Sequence, residues 1–138
     1  MIQKEADIDS EEWGKFIDMV HASNTEFAKG IVGDVTRTVW SHSDDATIFG
    51  GYGGFVEPGW NNVEVRLMTV AKQAANGTYS YKPIKNAITG DSAYILQTEQ
   101  YIFPGKSVID IRATIICQKE PEGWKIIHRH GEIIKTPQ

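Results

Sequence analysis

The most informative segment of this chain is Gly123-Trp124-Lys125-Ile126-Ile127-His128-Arg129-His130-Gly131-Glu132-Ile133-Ile134. It follows the turn sequence Glu120-Pro121-Glu122 and is rich in aromatic and β-branched residues, which indicates a β-strand. Successive side chains on a strand point to opposite faces. One face is therefore predicted to carry Trp124, Ile126, His128 and His130. Two imidazoles beside Trp and Ile are typical of a core, a ligand pocket or a metal site.

Length and composition narrow the class of protein. The chain has 138 residues, which fits one domain spanning 1–138. A net charge of -4 argues against nucleic acid as a partner, because nucleic-acid binding needs a basic face. We expect no membrane partner, because no apolar run approaches the ~20 residues of a membrane span. The amino terminus lacks the order of a signal peptide, and Cys117 is the single cysteine, so a cytoplasmic location is expected.

Helical periodicity is confined to the first half of the chain. A long helix is predicted over 9–29, with Asp9 as N-cap and a stripe of apolar residues at helical spacing. A short helical piece is predicted over 36–40 and a second long helix over 60–75, where Asn76-Gly77 supplies a stop signal.

Strand patterns dominate the second half. Four strands are predicted, separated by turn sequences that contain Gly or Pro: 79–88, 92–103, 107–119 and 124–134. A further short strand is expected to end near Phe49, after a polar lead-in. Helices followed by consecutive antiparallel strands are typical of the α+β class.

The polar residues of strand 92–103 are predicted to face the helices. The odd positions of strand 107–119 are almost all apolar, so that face should meet the helices. A three-residue loop between these strands keeps odd positions opposite odd positions, which adds Gln97, Glu99 and Tyr101 to the helix side. Buried Gln and Glu side chains need partners or water.

The last hairpin has two possible registers. With Lys119 opposite Trp124, the two histidines join the helix-covered face. With Glu120 opposite Trp124, through a bulge at Gly123, they share the outer face with Arg112 and Thr114. The register with Lys119 opposite Trp124 is preferred, because the other register would place Lys125 and Arg129 under the helices.

Four glycines in five residues mark the segment 50–54. A phosphate-binding loop would need a following Lys-Ser/Thr and a strand–loop–helix order, and the segment Phe55–Pro58 interrupts that order. A bent loop around a pocket mouth is the favoured interpretation. Trp40 and Trp60 flank the loop, so these two are predicted to contact a ligand.

The chain resembles the SnoaL-like branch of the nuclear transport factor 2-like (ketosteroid isomerase-like) superfamily. The resemblance spans about Trp13 to Ile134 and is carried by Trp40–Asp45, by the Gly-rich loop before Gly59-Trp60, and by Trp124–His130. The chain is also similar to the association domain of calcium/calmodulin-dependent protein kinase II, whose last strand likewise has Gly-x-Trp followed by two alternating histidines.

The resemblance implies a cone-shaped roll, in which amino-terminal helices pack in the concave face of a strongly curved, mostly antiparallel sheet. It also implies a pocket at the open end and a homodimer. Relatives include isomerases, cyclases, dehydratases and non-catalytic association domains, among which fold alone does not choose. The carboxylates and tyrosine of the isomerases have no residue-by-residue match here. Ile115 and Gln97 stand where two pocket arginines of the kinase domain would be.

Three functions are compatible with these residues. The first is a lyase, isomerase or cyclase that uses His128, His130 and Glu99 for acid–base chemistry on a small, partly apolar molecule. In this hypothesis burial raises the pKa of Glu99. Further candidate groups for binding the substrate are Trp40, His42, Trp60, Gln97 and Tyr101.

The second hypothesis is a three-histidine zinc centre built from His128, His130 and His42. The favoured expectation is that the site holds no metal and no cofactor. The third is a non-catalytic ligand-binding or association module that dimerises through the outer sheet face. That face is predicted to include Thr98, Gln100, Arg112, Thr114, Ile116, Ile127 and Arg129.

Overall fold

A computed structural model describes the backbone of residues 2–135 and the side chains of residues 10–135. Along the chain the elements are α1 (Ile2–Ala28), α2 (Asp34–Val39), β1 (Thr47–Phe49), α3 (Trp60–Ala71), β2 (Thr78–Thr89), β3 (Ser92–Ile102), β4 (Ile109–Glu120) and β5 (Gly123–Ile133). Helix α1 begins before the predicted N-cap Asp9, whose side chain lies outside the described ones. In residues 2–135, no helix is both long and apolar enough to span a membrane.

The five strands form one sheet in the order β1-β5-β4-β3-β2. All neighbours are antiparallel except β1, which runs parallel to β5. The helices cover one face of the sheet, and the core between them contains Trp13, Val20, Ile95, Ile115 and Trp124. The predicted α+β cone, with helices in the concave face of a mostly antiparallel sheet, is confirmed, and the sheet is open rather than closed.

The apolar periodicity of α1 explains why this helix covers the sheet. Trp13, Phe16 and Val20 repeat at helical spacing and are all buried. Trp13 meets Trp124 of β5 edge-on, with ring centroids 5.1 Å apart. Helix α3 ends at Ala71, before the predicted residue 75, because the next amide hydrogen bonds span three residues (Gln73 to Val70 and Ala74 to Ala71) and no longer follow the α-helical pattern.

The register between β3 and β4 follows the prediction. Gln97 lies opposite Ala113, and Glu99 lies opposite Ile111. Both polar residues face the helices, with relative exposures of 1% and 2%. The sheet therefore carries two buried polar side chains side by side on its concave face.

A β-bulge in β5 changes which face the end of the strand presents. At the turn Lys119 lies opposite Trp124, as preferred from the sequence, and Cys117 lies opposite Ile126. The next pair joins Ile116 to His128, so Ile127 is the extra residue of a bulge.

The extra residue reverses the alternation for the remainder of β5. Arg129 lies opposite the buried Ile115 and shares its face, whereas His130 lies opposite Thr114 on the outer face. The prediction that His128 and His130 face the helices is therefore wrong, and so is the outward placement of Arg129. The physical reason for both errors is the bulge in β5, and not the register at the turn.

Candidate ligand-binding site

A cavity of about 220 Å³ opens between α1, α3 and the curved sheet. Most of its wall is apolar and includes Phe27, Leu67, Val70, Ile111 and Ile133. Among the described residues that line it, every charged side chain is basic: Arg66, Lys106 and Arg129. Small apolar ligands with a few polar contacts are typical occupants of such a cavity.

The Gly-rich loop forms part of the cavity mouth. Gly50, Gly51 and Tyr52 line it. Gly53 and Gly54 have φ angles of 74° and 80°, a left-handed conformation that favours glycine. Arg66 of α3 fixes the loop by donating a hydrogen bond of 2.9 Å to the carbonyl oxygen of Gly53. This arrangement matches the pocket-mouth interpretation of the loop.

A buried ion pair lies at the floor of the cavity. Nη1 of Arg129 donates to Oε2 of Glu99 at 3.0 Å, and Nη2 donates to Oε1 of the same carboxylate. The side chain of Glu99 is fully enclosed, whereas that of Arg129 is 14% exposed and lines the cavity. The carboxylate therefore lies behind the guanidinium as seen from the cavity.

Further donors complete the surroundings of Glu99. Gln97 Nε2 donates to Glu99 Oε2 at 2.6 Å and the Tyr79 hydroxyl donates to the same oxygen at 3.2 Å. Asn24 Nδ2 donates to the Tyr79 hydroxyl at 3.1 Å and lies 3.5 Å from Glu99. His21 extends the network, with Nδ1 3.2 Å from the Tyr79 oxygen. The buried polar groups of α1, β2 and β3 thus satisfy one another.

The pKa of Glu99 is the balance of opposed effects. Desolvation by burial raises the pKa, but the charge and hydrogen bonds of Arg129, with those of Gln97 and Tyr79, hold the pKa below its usual value. The expectation that Glu99 has a raised pKa is therefore wrong, because the cation was assigned to the opposite face. Burial first, and then the charge of Glu99, raises the pKa values of Tyr79 and Tyr101.

The predicted binding residues divide into two groups. Trp40 and Tyr101 line the cavity, and Gln97 supports its floor through Glu99. His42 and Trp60 are outside the lining: the two rings stack on each other, with centroids 4.6 Å apart. His42 Nε2 lies 2.7 Å from the carbonyl oxygen of Arg37.

His128 and His130 lie on the outer face beside β1. Nδ1 of His128 is 2.7 Å from Oγ1 of Thr47, and Phe49 contacts both imidazoles edge-on. Partial burial, and then the neighbouring His130, lowers the pKa of His128. Their proposed catalytic role depended on an inward placement, so it loses its geometric basis. The three-histidine centre with His42 is not formed: in residues 10–135 no three His, Cys, Asp or Glu side chains are grouped to hold a metal ion.

Sequence reasoning missed Arg129, Tyr79, Asn24 and His21 as members of this site. One signal for Arg129 was available. A carboxylate predicted on the buried face requires a cation, and Arg129 is the one that a register shift would bring to Glu99. Nothing in the pattern of α1 distinguished Asn24 and His21 from ordinary solvent-facing residues.

Known structures identify the architecture. A protein from Thiobacillus denitrificans, provisionally described as a calcium/calmodulin-dependent protein kinase type II association domain, superposes with a TM-score of 0.74 at 16% identity over 87% of this chain and 93% of its own. A provisionally assigned dehydratase of the NTF2-like family from Streptomyces avermitilis gives 0.71 at 15% identity, over 94% and 99% of the two chains. This chain has the nuclear transport factor 2-like fold.

A provisionally assigned ketosteroid isomerase from Parabacteroides distasonis shares the NTF2-like fold as well, with a TM-score of 0.64 and 14% identity over 84% of this chain and 86% of its own. No protein-family model matches the sequence, and no curated protein does. At these identities the similarity establishes the fold and leaves the activity to be argued from the site.

Proposed function

We propose that this protein binds a small, partly apolar molecule in the open end of its cone. The observation that carries the proposal is the 220 Å³ cavity, which has apolar walls and a single buried ion pair at its floor. An apolar cavity with a few convergent polar groups is the usual form of a small-molecule site. Arg129 would orient the ligand, and the apolar walls would supply most of the binding free energy.

Binding is favoured over acid–base turnover by the position of the titratable groups. No histidine or carboxylate is among the described residues that line the cavity. Arg129 holds the pKa of Glu99 below its usual value, which disfavours proton transfer by this group, because an acid–base catalyst should have a pKa near the working pH. The isomerase and dehydratase descriptions above belong to the similar structures and not to this site.

A ligand screen, followed by a substitution that fills the cavity, tests the proposal. Compounds that raise the melting temperature of the protein are first identified in a screen of small acids, amides, alcohols and lactones. Leu67→Trp, which fills the cavity from α3, is expected to abolish their binding. Val65→Trp, an exposed site on the same helix, is the matched control and should bind normally. A screen without any stabilising compound, or hits that bind Leu67→Trp unchanged, would contradict the proposal.

We also propose a homodimer formed through the outer face of the sheet. Ile116 and Phe49 are 41% and 50% exposed there, next to His128 and His130. Exposed apolar side chains next to imidazoles on one face of a sheet are compatible with a two-fold interface.

A further inference from the structure

The guanidinium of Arg129 has hydrogen-bonding capacity that the protein does not use. A guanidinium carries five N–H donors in a fixed fork. Glu99 accepts two of them, and no other acceptor in the described part of the chain takes a hydrogen bond from Arg129. The side chain of Arg129 lines the cavity, so its remaining donors are available to a ligand there.

The charged side chains that line the cavity have the opposite sign to the net charge of the whole molecule. The chain carries a net charge of -4, yet Arg66, Lys106 and Arg129 are the charged groups among the described lining residues. Glu99 balances Arg129 in total charge, but the carboxylate is enclosed behind the guanidinium. An anion that enters the cavity meets the positive end of this pair first, in a partly desolvated setting where charge-assisted hydrogen bonds are strong.

The size of the cavity limits the rest of the ligand. About 220 Å³ is below the roughly 300–1,000 Å³ of sites for drug-sized molecules. The apolar wall formed by Phe27, Leu67 and Val70 suits one ring or one branched aliphatic group.

We infer that the ligand is a small monocarboxylate with one apolar ring or branched chain, whose carboxylate accepts hydrogen bonds from the remaining donors of Arg129. This inference rests on the proposed function and adds the ligand class. It also assigns the ion pair a role: Glu99 holds the guanidinium plane in place, so the fork is ordered before the ligand arrives.

Calorimetry with matched ligands at neutral pH tests the inference on the unaltered protein. Phenylacetate is expected to bind at least tenfold more tightly than its neutral analogue phenylacetamide, because only the former brings a negative charge to Arg129 and accepts hydrogen bonds in which both partners are ionised. Acetate should bind far more weakly than phenylacetate, since each buried methylene contributes about fourfold in affinity. This comparison does not depend on any variant folding.

Two double variants test whether the preference for the acid over the amide arises from the Glu99–Arg129 pair. Glu99→Gln/Arg129→Met removes the pair without leaving a buried charge, and the ratio of the two affinities should fall to about one. Arg37→Met/Glu64→Gln removes an ion pair of 2.7 Å between α2 and α3, outside the cavity lining, and should keep the ratio.

The outcomes separate the two claims. Equal binding of the acid and the amide by the unaltered protein would overturn the monocarboxylate inference and leave the proposed function intact. So would a screen whose cavity ligands include no acid. If no compound binds the cavity at all, both claims fail together.

Discussion

At the level of single residues, the buried Glu99–Arg129 pair is where the loss of one side chain should cost most. An enclosed carboxylate is costly unless a cation and hydrogen bonds compensate it. Glu99 has both, from Arg129, Gln97 and Tyr79. Because the compensation is specific, removing one partner should cost much more than removing the pair.

Arg129→Met is expected to lower the free energy of unfolding by about 3–5 kcal/mol, because it leaves the Glu99 charge buried and unpaired. The double variant Glu99→Gln/Arg129→Met should recover a large part of that loss. Urea denaturation followed by circular dichroism measures both. Arg112→Met, which breaks an exposed pair with Glu132, is the control and should change little. Equal losses in the single and double variants would show that the charge is not the cause.

The stability of the protein should depend on pH through His21. Desolvation by burial lowers the pKa of His21 in the folded protein, although Glu99 and Asp18 oppose this effect. In the unfolded chain the pKa is about 6.5, so the unfolded state binds the proton more readily. This part of the stability is therefore complete above the unfolded pKa and is lost as the pH falls toward the folded pKa.

His21→Gln should therefore flatten the dependence of the unfolding free energy on pH between about pH 7.5 and pH 5. Urea titrations at several pH values give this slope. Ala22→Gln, an exposed position on the same helix, should keep the wild-type slope. An unchanged slope in His21→Gln would place the titrating group elsewhere.

At the scale of elements, the bulge at Ile127 decides the chemistry of β5. It divides the strand into a first part, which packs Trp124 and Ile126 on the core, and a second part, which directs Arg129 into the cavity. On both sides of Ile127, the residues of β4 and β5 pair one to one without a further shift. Ile127 is thus an insertion in an otherwise regular ladder.

Deletion of Ile127 should preserve the fold, because Ile126 and His128 would become neighbours and every cross-strand pair would be kept. Deletion of Lys125 is the matched control: it forces either Trp124 or Ile126 to the outer face and should abolish cooperative unfolding. Thermal denaturation with near-ultraviolet circular dichroism distinguishes the two. A deletion of Ile127 as disruptive as that of Lys125 would contradict the view of this residue as an insertion.

The bulge also explains how far the sequence could predict this protein. Periodicity was sufficient to predict that these helices and strands exist, though not every helix end, and that Gln97 and Glu99 face inward, because each depends on local spacing and one short turn. Alternation alone could not reveal the bulge, since its extra residue, Ile127, is an apolar β-branched residue like its neighbours. The placement of His128, His130 and Arg129 failed at that point. The assignment of His42 and Trp60 to the site failed independently of it, because the two rings stack on each other outside the cavity lining.

At the scale of the whole molecule, the outer face of the sheet is the surface where a second copy is proposed to bind. This proposal predicts a particle of about twice the monomer mass of 15.4 kDa in light scattering at micromolar concentration. Ile116→Lys should convert it to the monomer, because it places a charge at the centre of the interface.

Ile31→Lys is the matched control, since Ile31 is comparably exposed but lies in the loop between α1 and α2. It should leave the mass unchanged. A wild-type particle of monomer mass would refute the dimer while leaving the cavity and its ligand unaffected.

The extra residue Ile127 affects any alignment of this chain with proteins that share its fold. A relative without the extra residue aligns correctly up to Ile126 and then falls out of step, so that an inward position is matched to an outward one. Residues at the end of β5 are aligned correctly with such a relative only when positions are counted back from Ile133 and not forward from the turn. If positions are counted forward from the turn, His128 and His130 are matched to inward-facing positions, although both lie on the outer face.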